Sequence, residues 1–432
     1  MASTKPLSSP RLTTMILGCL ALLLVISIIL FPDQAFKSSL QGLKIWWELV
    51  FPALLPFLII TEIARGMGVI HALGALLEPL LRLLFRLPGI AGWAIAIGFT
   101  AGSPSGAVAV GSMRKDKLIS REEAERLLTL SHVSSPVFLV SVVGVGFLHN
   151  AQSGFILALL HYGSALLLAL WQRLTLTKQH TNLTGEEKRA VSPSTEESSG
   201  IFSRSVMAWR TAQANDGRTF GKLLGDSVPH AVQQLLAIGG LIMMFSVIVH
   251  AVSQSKIIPA IGFVLSACGI TTSEQAVALL TSLLPGLFEA HLGAYSLGQS
   301  QIIPDSWQYA LLSALFAWGG LSTHAQVKSF TLGTDIRYSS FLKSRLIHAA
   351  ISFIATSAFW KPLNALFSEP QLTWLPFSTQ ADSPTNWNMH YVNMWPLLSK
   401  SMLWFSGILL LMLVLSVFTA FVFRHARRDS NN

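Results

Sequence analysis

Very few side chains able to do chemistry lie inside the long apolar stretches of this 432-residue chain, and they fall in four short runs. Glu289 and His291 sit in Pro285-Gly286-Leu287-Phe288-Glu289-Ala290-His291-Leu292-Gly293, and His132 sits in Ser131-His132-Val133-Ser134-Ser135-Pro136. His324 closes Gly319-Gly320-Leu321-Ser322-Thr323-His324, while Gly102, Ser103, Ser105 and Gly106 end Gly98-Phe99-Thr100-Ala101-Gly102-Ser103-Pro104-Ser105-Gly106. A carboxylate at a membrane-helix centre costs about 2.5–3.5 kcal/mol, so Glu289 is expected to have a use. It can bind a coupling cation or a proton, or it can order its own segment by accepting backbone N–H bonds; the first is the expectation. Gly102, Ser103, Ser105 and Gly106 can offer backbone and hydroxyl donors to a substrate carboxylate. Ser134, Ser135, Gly320, Ser322 and Thr323 stand where a helix must break, and binding there competes with hydroxyls bonded to their own backbone. The histidines match no zinc spacing, so no metal is expected; each could instead donate to a carboxylate or carry a proton. None of the four runs contains Arg or Lys. Anion binding would therefore rest on hydroxyls, free amides and helix-end dipoles.

These groups have to be positioned by a membrane. Half of the chain is hydrophobic (51%) and only 12% is charged, with a mean hydropathy of +0.54. Soluble domains carry roughly 25% charged residues, so most of the surface is meant for lipid. That excludes a cytoplasmic enzyme, a secreted disulfide scaffold and a nucleic-acid module, despite a net charge of +9. No Ser/Lys, His-Glu-x-x-His or paired-aspartate pattern supports an intramembrane enzyme either. Cys19 and Cys268 fit no metal or redox spacing.

A bilayer-crossing helix needs roughly 20 mostly apolar residues. Eight stretches qualify: 14–31, 45–64, 131–148, 154–171, 231–252, 307–327, 342–360 and 398–423. The first reads as an uncleaved signal anchor. With both termini in the cytoplasm, twenty-five Lys and Arg fall inside and five (Lys37, Lys44, Lys256, Lys361 and Lys400) fall outside. Two further apolar stretches, 91–112 and 274–298, are interrupted by Gly, Pro and polar residues that cannot continue a helix. They are expected to be re-entrant hairpins entering from opposite sides. Each is preceded by a short interfacial helix (71–86 and 257–269) and followed by a helix with a polar centre, which makes an inverted repeat. Ser120 and Glu123 have capping-box spacing at the start of the first such helix, and Glu62 with Arg65 suits an ion pair.

The expected fold class is thus an all-α polytopic membrane protein: about eight transmembrane helices plus two re-entrant helical hairpins in an inverted repeat. Its parts are 1–44 with the anchor, a first half 45–172, a flexible cytoplasmic linker 173–225, a second half 226–360, an ordered external aromatic loop 361–397, and a last span with a basic tail, 398–432. Gly/Pro-interrupted segments at matching places in two halves point to a transporter binding site near the midplane. Cysteines placed at Ser103 and Ser322 are then expected to react with aqueous thiol reagents. The pattern calls for a small-molecule substrate and contact with lipid, no nucleic-acid partner and no cofactor. The coupling ion or proton and homo-oligomerisation are left open.

Four phrases carry a family resemblance: Phe51-Pro52-Ala53-Leu54-Leu55-Pro56-Phe57, the Gly98–Gly106 run, Leu287-Phe288-Glu289, and Trp318-Gly319-Gly320-Leu321-Ser322-Thr323-His324-Ala325-Gln326. Over about 46–360 the chain resembles the stage V sporulation integral membrane protein family, which carries nucleoside-recognition Gate domains and is distantly similar to concentrative nucleoside transporters. The resemblance implies a transporter of endospore-forming bacteria that moves dipicolinate from mother cell toward forespore, across the outer forespore membrane. Nucleoside transporters place an amide and a carboxylate in the first hairpin; here that tip offers only Gly102, Ser103 and Ser105, which suits a small carboxylate better. A nucleoside transporter and a non-transporting membrane sensor or assembly factor are the alternatives.

Overall fold

In the computed structural model, residues 10–175, 200–269, 272–367 and 395–429 are described, and all the regular structure among them is helical. Four helices are long and apolar enough to cross a bilayer: Pro32–Gly66, Ala151–Leu174, Phe220–Gln254 and Tyr338–Phe367. Together with the shorter apolar helices they make an all-α polytopic membrane protein. The spans expected at 14–31 and 398–423 lie in helices Pro10–Leu30 and Trp395–Asp429.

Two 35-residue helices, Pro32–Gly66 and Phe220–Gln254, form the frame. At 1.5 Å per residue each is about 50 Å long, well beyond a hydrocarbon core of about 30 Å. Small residues let them touch closely. Gly42 lies against Met243 and Ser246, and the Trp46 ring rests on Gly239, where an added Cβ would come 2.6 Å from the indole. The Trp46 indole N–H donates to Leu235 O at 2.9 Å, and Ser246 Oγ donates to Ser38 O at 2.7 Å. A wide, π-type turn at Trp46–Val50 rotates the lower half of the first frame helix without ending it.

The same order of elements then occurs twice. In the first half a short helix, Val69–Phe85, precedes a pair Ala91–Ala101 and Ser105–Lys115, followed by a broken helix, Arg121–Ser131 and Phe138–Phe147. In the second, Ile257–Ala267 precedes the pair Ser273–Phe288 and Ala290–Gly298, followed by Asp305–Trp318 and Gly320–Phe330. Each broken helix packs on a long unbroken one, Ala151–Thr175 or Tyr338–Phe367. Glu62 and Arg65 form the ion pair their spacing suggests, with Arg65 Nε donating to Glu62 Oε2 at 3.0 Å.

Two sequence expectations need correction. The stretch 173–225 is not a tether throughout. Residues 176–199 lie outside the described residues, but Ile201–Asp216 is a helix. It docks on Val69–Phe85, with Arg204 Nη1 bonded to Glu78 Oε2 at 3.1 Å, Ser205 Oγ donating to Ala72 O and the Trp209 indole donating to Met67 O. Polarity averaged over the whole stretch hid an amphipathic piece that finds its partner in the tertiary fold. The loop expected at 361–397 is likewise shorter, because the preceding helix continues to Phe367 and the last begins at Trp395; residues 368–394, with Trp374, Trp387 and Tyr391, lie outside the described residues.

Candidate functional site

The two hairpins and the two broken helices meet. The first hairpin turns at Gly102, whose φ of +74° is cheap only for glycine, and Ser103 N donates to Val133 O in the first break at 3.1 Å. Both arms close on the end of Arg121–Ser131: an added Cβ at Gly98 or Gly106 would collide with Ser131 O. That half-helix starts with the capping box foreseen from Ser120 and Glu123, each accepting from the other's backbone N–H. After the break, Ser135 Oγ accepts from Phe138 N at 3.2 Å and starts the next segment. In the second half the hairpin turns at Glu289, the single extended residue between its two helices, and Gly319 and Gly320 interrupt the neighbouring helix with φ of +85° and +80°. Gly320 lies so close to Phe288 O and the Glu289 backbone that a Cβ would come within 2.9 Å, so it joins the two breaks.

Between them is a cavity of about 310 Å³. Gly102, Ser103, Ser105, His132, Ser134, Ser135, Glu289, His291 and Thr323 line it. Gly106, Gly320, Ser322 and His324 do not. Gly106 is a packing residue on Ser131, and Gly320 is the close contact just described. Ser322 is buried away from the lining. His324 holds its own break together, with Nε2 donating to Trp318 O at 3.1 Å and Nδ1 lying 3.0 Å from Tyr338 Oη. The labelling expectation changes accordingly. With Cys19 and Cys268, both exposed, replaced by serine, Ser103→Cys is expected to react with a small aqueous maleimide and Ser322→Cys to stay unreacted. Equal labelling rates at the two positions would contradict this cavity.

The Glu289 carboxylate is occupied by its own segment. Oε2 accepts from His291 N at 2.6 Å and Leu292 N at 3.0 Å, and Oε1 lies 2.8 Å from His291 Nδ1. The negative group thus sits on the positive end of a half-helix, where it is most stable. The ordering role, one of the two open from sequence, is the one that the geometry displays. Ser103 Oγ lies 3.1 Å from His132 Nε2, which couples the first hairpin tip to the first break.

Other lining groups were not among the candidates chosen from the four runs. Gln234, from the second frame helix, and Gln326, from the second broken helix, bring amides to the cavity wall, and Thr61 and Thr100 bring hydroxyls. An amide within an apolar span was the available cue. Behind the first break, Ser134 N donates to His161 Nε2 at 3.3 Å and Tyr162 Oη donates to Ser134 O at 2.7 Å. Arg345 reaches the same break, although it was counted among loop cations; it is buried inside Tyr338–Phe367. Among the described residues no cluster of three or more His, Cys, Asp or Glu could hold a metal.

At the Arg-rich end of the bundle, the segment between Gly320–Phe330 and Tyr338–Phe367 clamps the first half. Arg114 grips Asp335 with two bonds of 2.8 and 2.9 Å, and Arg337 grips Glu125 with two of 2.8 Å. Burial pushes the Glu125 carboxyl up, but the hydrogen bonds and charge of Arg337 outweigh it, and the net position is below the ordinary 4.5. The stability this pair adds is present above 4.5 and is lost as pH falls through the lower folded value. Glu125→Gln is expected to cost about 1–3 kcal/mol at neutral pH, limited by the solvent exposure of Arg337. Thermal melts of variant and wild type should converge on acidification below 4.5; a gap that stays constant with pH would remove the charge from the explanation.

The bundle, with paired chain breaks around a shared cavity, is that of an all-α polytopic membrane protein, and residues 47–149 match the Gate family, described as nucleoside recognition. Over 389 residues the chain is 33% identical to the sporulation integral membrane protein YlbJ of Bacillus subtilis (strain 168), an alignment that covers 90% of this chain and 92% of that protein. The chain belongs to that sporulation integral membrane protein family. No solved structure matches it.

Proposed function

We propose that the protein is a transporter of a small anionic solute, dipicolinate by the resemblance, acting during sporulation by alternating access. The observation that carries this reading is the cavity shared by interrupted segments of both halves. Uncoiled main chain at membrane depth is stable only inside protein or beside water, and transporters put their substrates at such places. At about 310 Å³ the space is at the lower end of ligand pockets, roughly 300–1,000 Å³, and fits a single-ring acid. The hydroxyls of Ser103, Ser105 and Thr323 and the amides of Gln234 and Gln326 are neutral donors for its carboxylates. The hairpins enter from opposite faces, both termini are cytoplasmic, and the hairpin-bearing bundles move against the two frame helices. A coupling cation or proton, not a cofactor, drives net flux, and the membrane is the outer forespore membrane.

Two amides in the cavity, with the Gate match, favour a nucleoside as the second reading. Uptake into vesicles reconstituted with the full-length protein separates the two. Concentration-dependent flux of labelled dipicolinate, competed by excess unlabelled dipicolinate and not by uridine or adenosine, is expected. Nucleoside flux alone would establish the second reading, and folded protein that moves neither would leave a non-transporting sensor.

A further inference from the structure

The geometry points to Arg345 as the counter-charge that makes this cavity prefer anions, an inference that rests on the transporter reading above. Arg345 is the largest fully buried side chain among the described residues, 1% exposed. Its Nη1 donates to His132 O at 2.8 Å and its Nη2 to Thr129 O at 2.9 Å, with the guanidinium carbon 5.4 Å from the centre of the Phe341 ring. Its Nε has no partner. Among the described residues no carboxylate pairs with it, whereas Arg65, Arg114, Arg204, Arg218 and Arg337 each have one. Burying a cation without a counter-ion costs several kcal/mol, and within membrane proteins such charges are kept where they serve a substrate or ion.

The two carbonyls identify what the charge acts on. They belong to the last turn and the cap of Arg121–Ser131, whose end opens on the cavity through His132, Val133 and Ser134. A helix C-terminus carries about half a negative charge and, left alone, would repel an anion. A full positive charge placed on those carbonyls reverses the sign at this wall. The Glu289 carboxylate also lines the cavity, held by two amides of its own half-helix and the His291 ring at the end whose partial charge is positive. Arg345 sets a full positive charge against it at the first break, so the cavity is not left with the carboxylate's field alone. A guanidinium stays charged at every physiological pH, and one this deeply buried is little affected by salt. Arg345 touches the wall and not the substrate, and it is a specificity-determining residue by its field.

The test measures binding to the purified full-length protein of three pyridines of similar size: dipicolinate with two charges, picolinate with one, and picolinamide with none. Wild type is expected to rank them in that order at both low and high salt. Arg345→Gln should weaken dipicolinate roughly a hundredfold and picolinate roughly tenfold, and leave picolinamide within about twofold, since the field acts in proportion to charge. Arg345→Lys should keep the order. Loss of all three ligands in equal proportion in a folded Arg345→Gln protein would make the residue structural and overturn the inference. So would a wild-type preference that vanishes in high salt, which would place its origin at the surface; that comparison needs no variant and decides the matter if Arg345→Gln does not fold. Wild-type protein that binds none of the three ends the pyridine-carboxylate reading itself, a failure seen before any substitution is made.

Discussion

Glu289→Ala is expected to abolish transport and to lower the unfolding free energy by about 2–4 kcal/mol. Two buried amides, of His291 and Leu292, lose their only acceptor, at about 1–3 kcal/mol each, with some relaxation of the half-helix reducing the sum. The hairpin tip would fray, and the close contact of Gly320 with the Glu289 backbone would go with it. Glu289→Gln separates charge from capping. Its amide oxygen can still accept from the backbone, while the amide nitrogen meets His291 Nδ1, where a carboxylate oxygen now sits at 2.8 Å. Stability should fall by no more than about 1 kcal/mol, in the range of a weakened cap. Vesicle uptake should still be lost, because a neutral amide cannot bind a coupling cation or proton as a carboxylate does. Unchanged uptake by the Gln variant beside a defective Ala variant would make Glu289 a helix cap and nothing more.

The second large effect concerns packing. Gly98→Ala and Gly106→Ala each drive a methyl into the Ser131 carbonyl, from opposite arms of the same hairpin. Because the obstacle is backbone and not the end of a flexible side chain, it cannot swing away. Each change is expected to cost about 2–5 kcal/mol, at the upper end of overpacking, and to reduce the protein recovered from membranes. Gly163→Ala is the control. Nothing lies within 4 Å of the added methyl in the helix Ala151–Thr175, and alanine favours the helix by up to about 1 kcal/mol. Fluorescence melts in detergent should therefore order the variants with Gly163→Ala at or above wild type and the other two well below. A Gly106→Ala protein of normal stability that has lost substrate binding would return Gly106 to the site, where its sequence context placed it.

The breaks were legible because they are local. Pro104 next to Gly102 and Gly106, Glu289 among apolar neighbours, and Gly319-Gly320 each violate helix chemistry within one or two turns, so the string alone marks them. The capping box at Ser120 and the pair Glu62–Arg65 are legible for the same reason, since both partners lie within one turn. The helix Ile201–Asp216 was not, because the polar sequence on either side masked its apolar half and its docking partners, Glu78, Ala72 and Met67, lie more than a hundred residues away.

The composition and the rhythm of apolar and broken segments by themselves determined that this is a helical membrane protein with interrupted elements in each half. Which residues face the interruptions was decided only by the tertiary structure. Ser103, Glu289 and Thr323 share one cavity with Gln234 and Gln326, while Gly106, Ser322 and His324, from the same runs, turn to packing and capping. Arg345 meets His132 across 213 positions of sequence. Spacing along a chain fixes contacts within a helical turn. A contact at that separation is fixed by how whole helices pack, where each side chain's direction depends on partners that the local sequence does not contain.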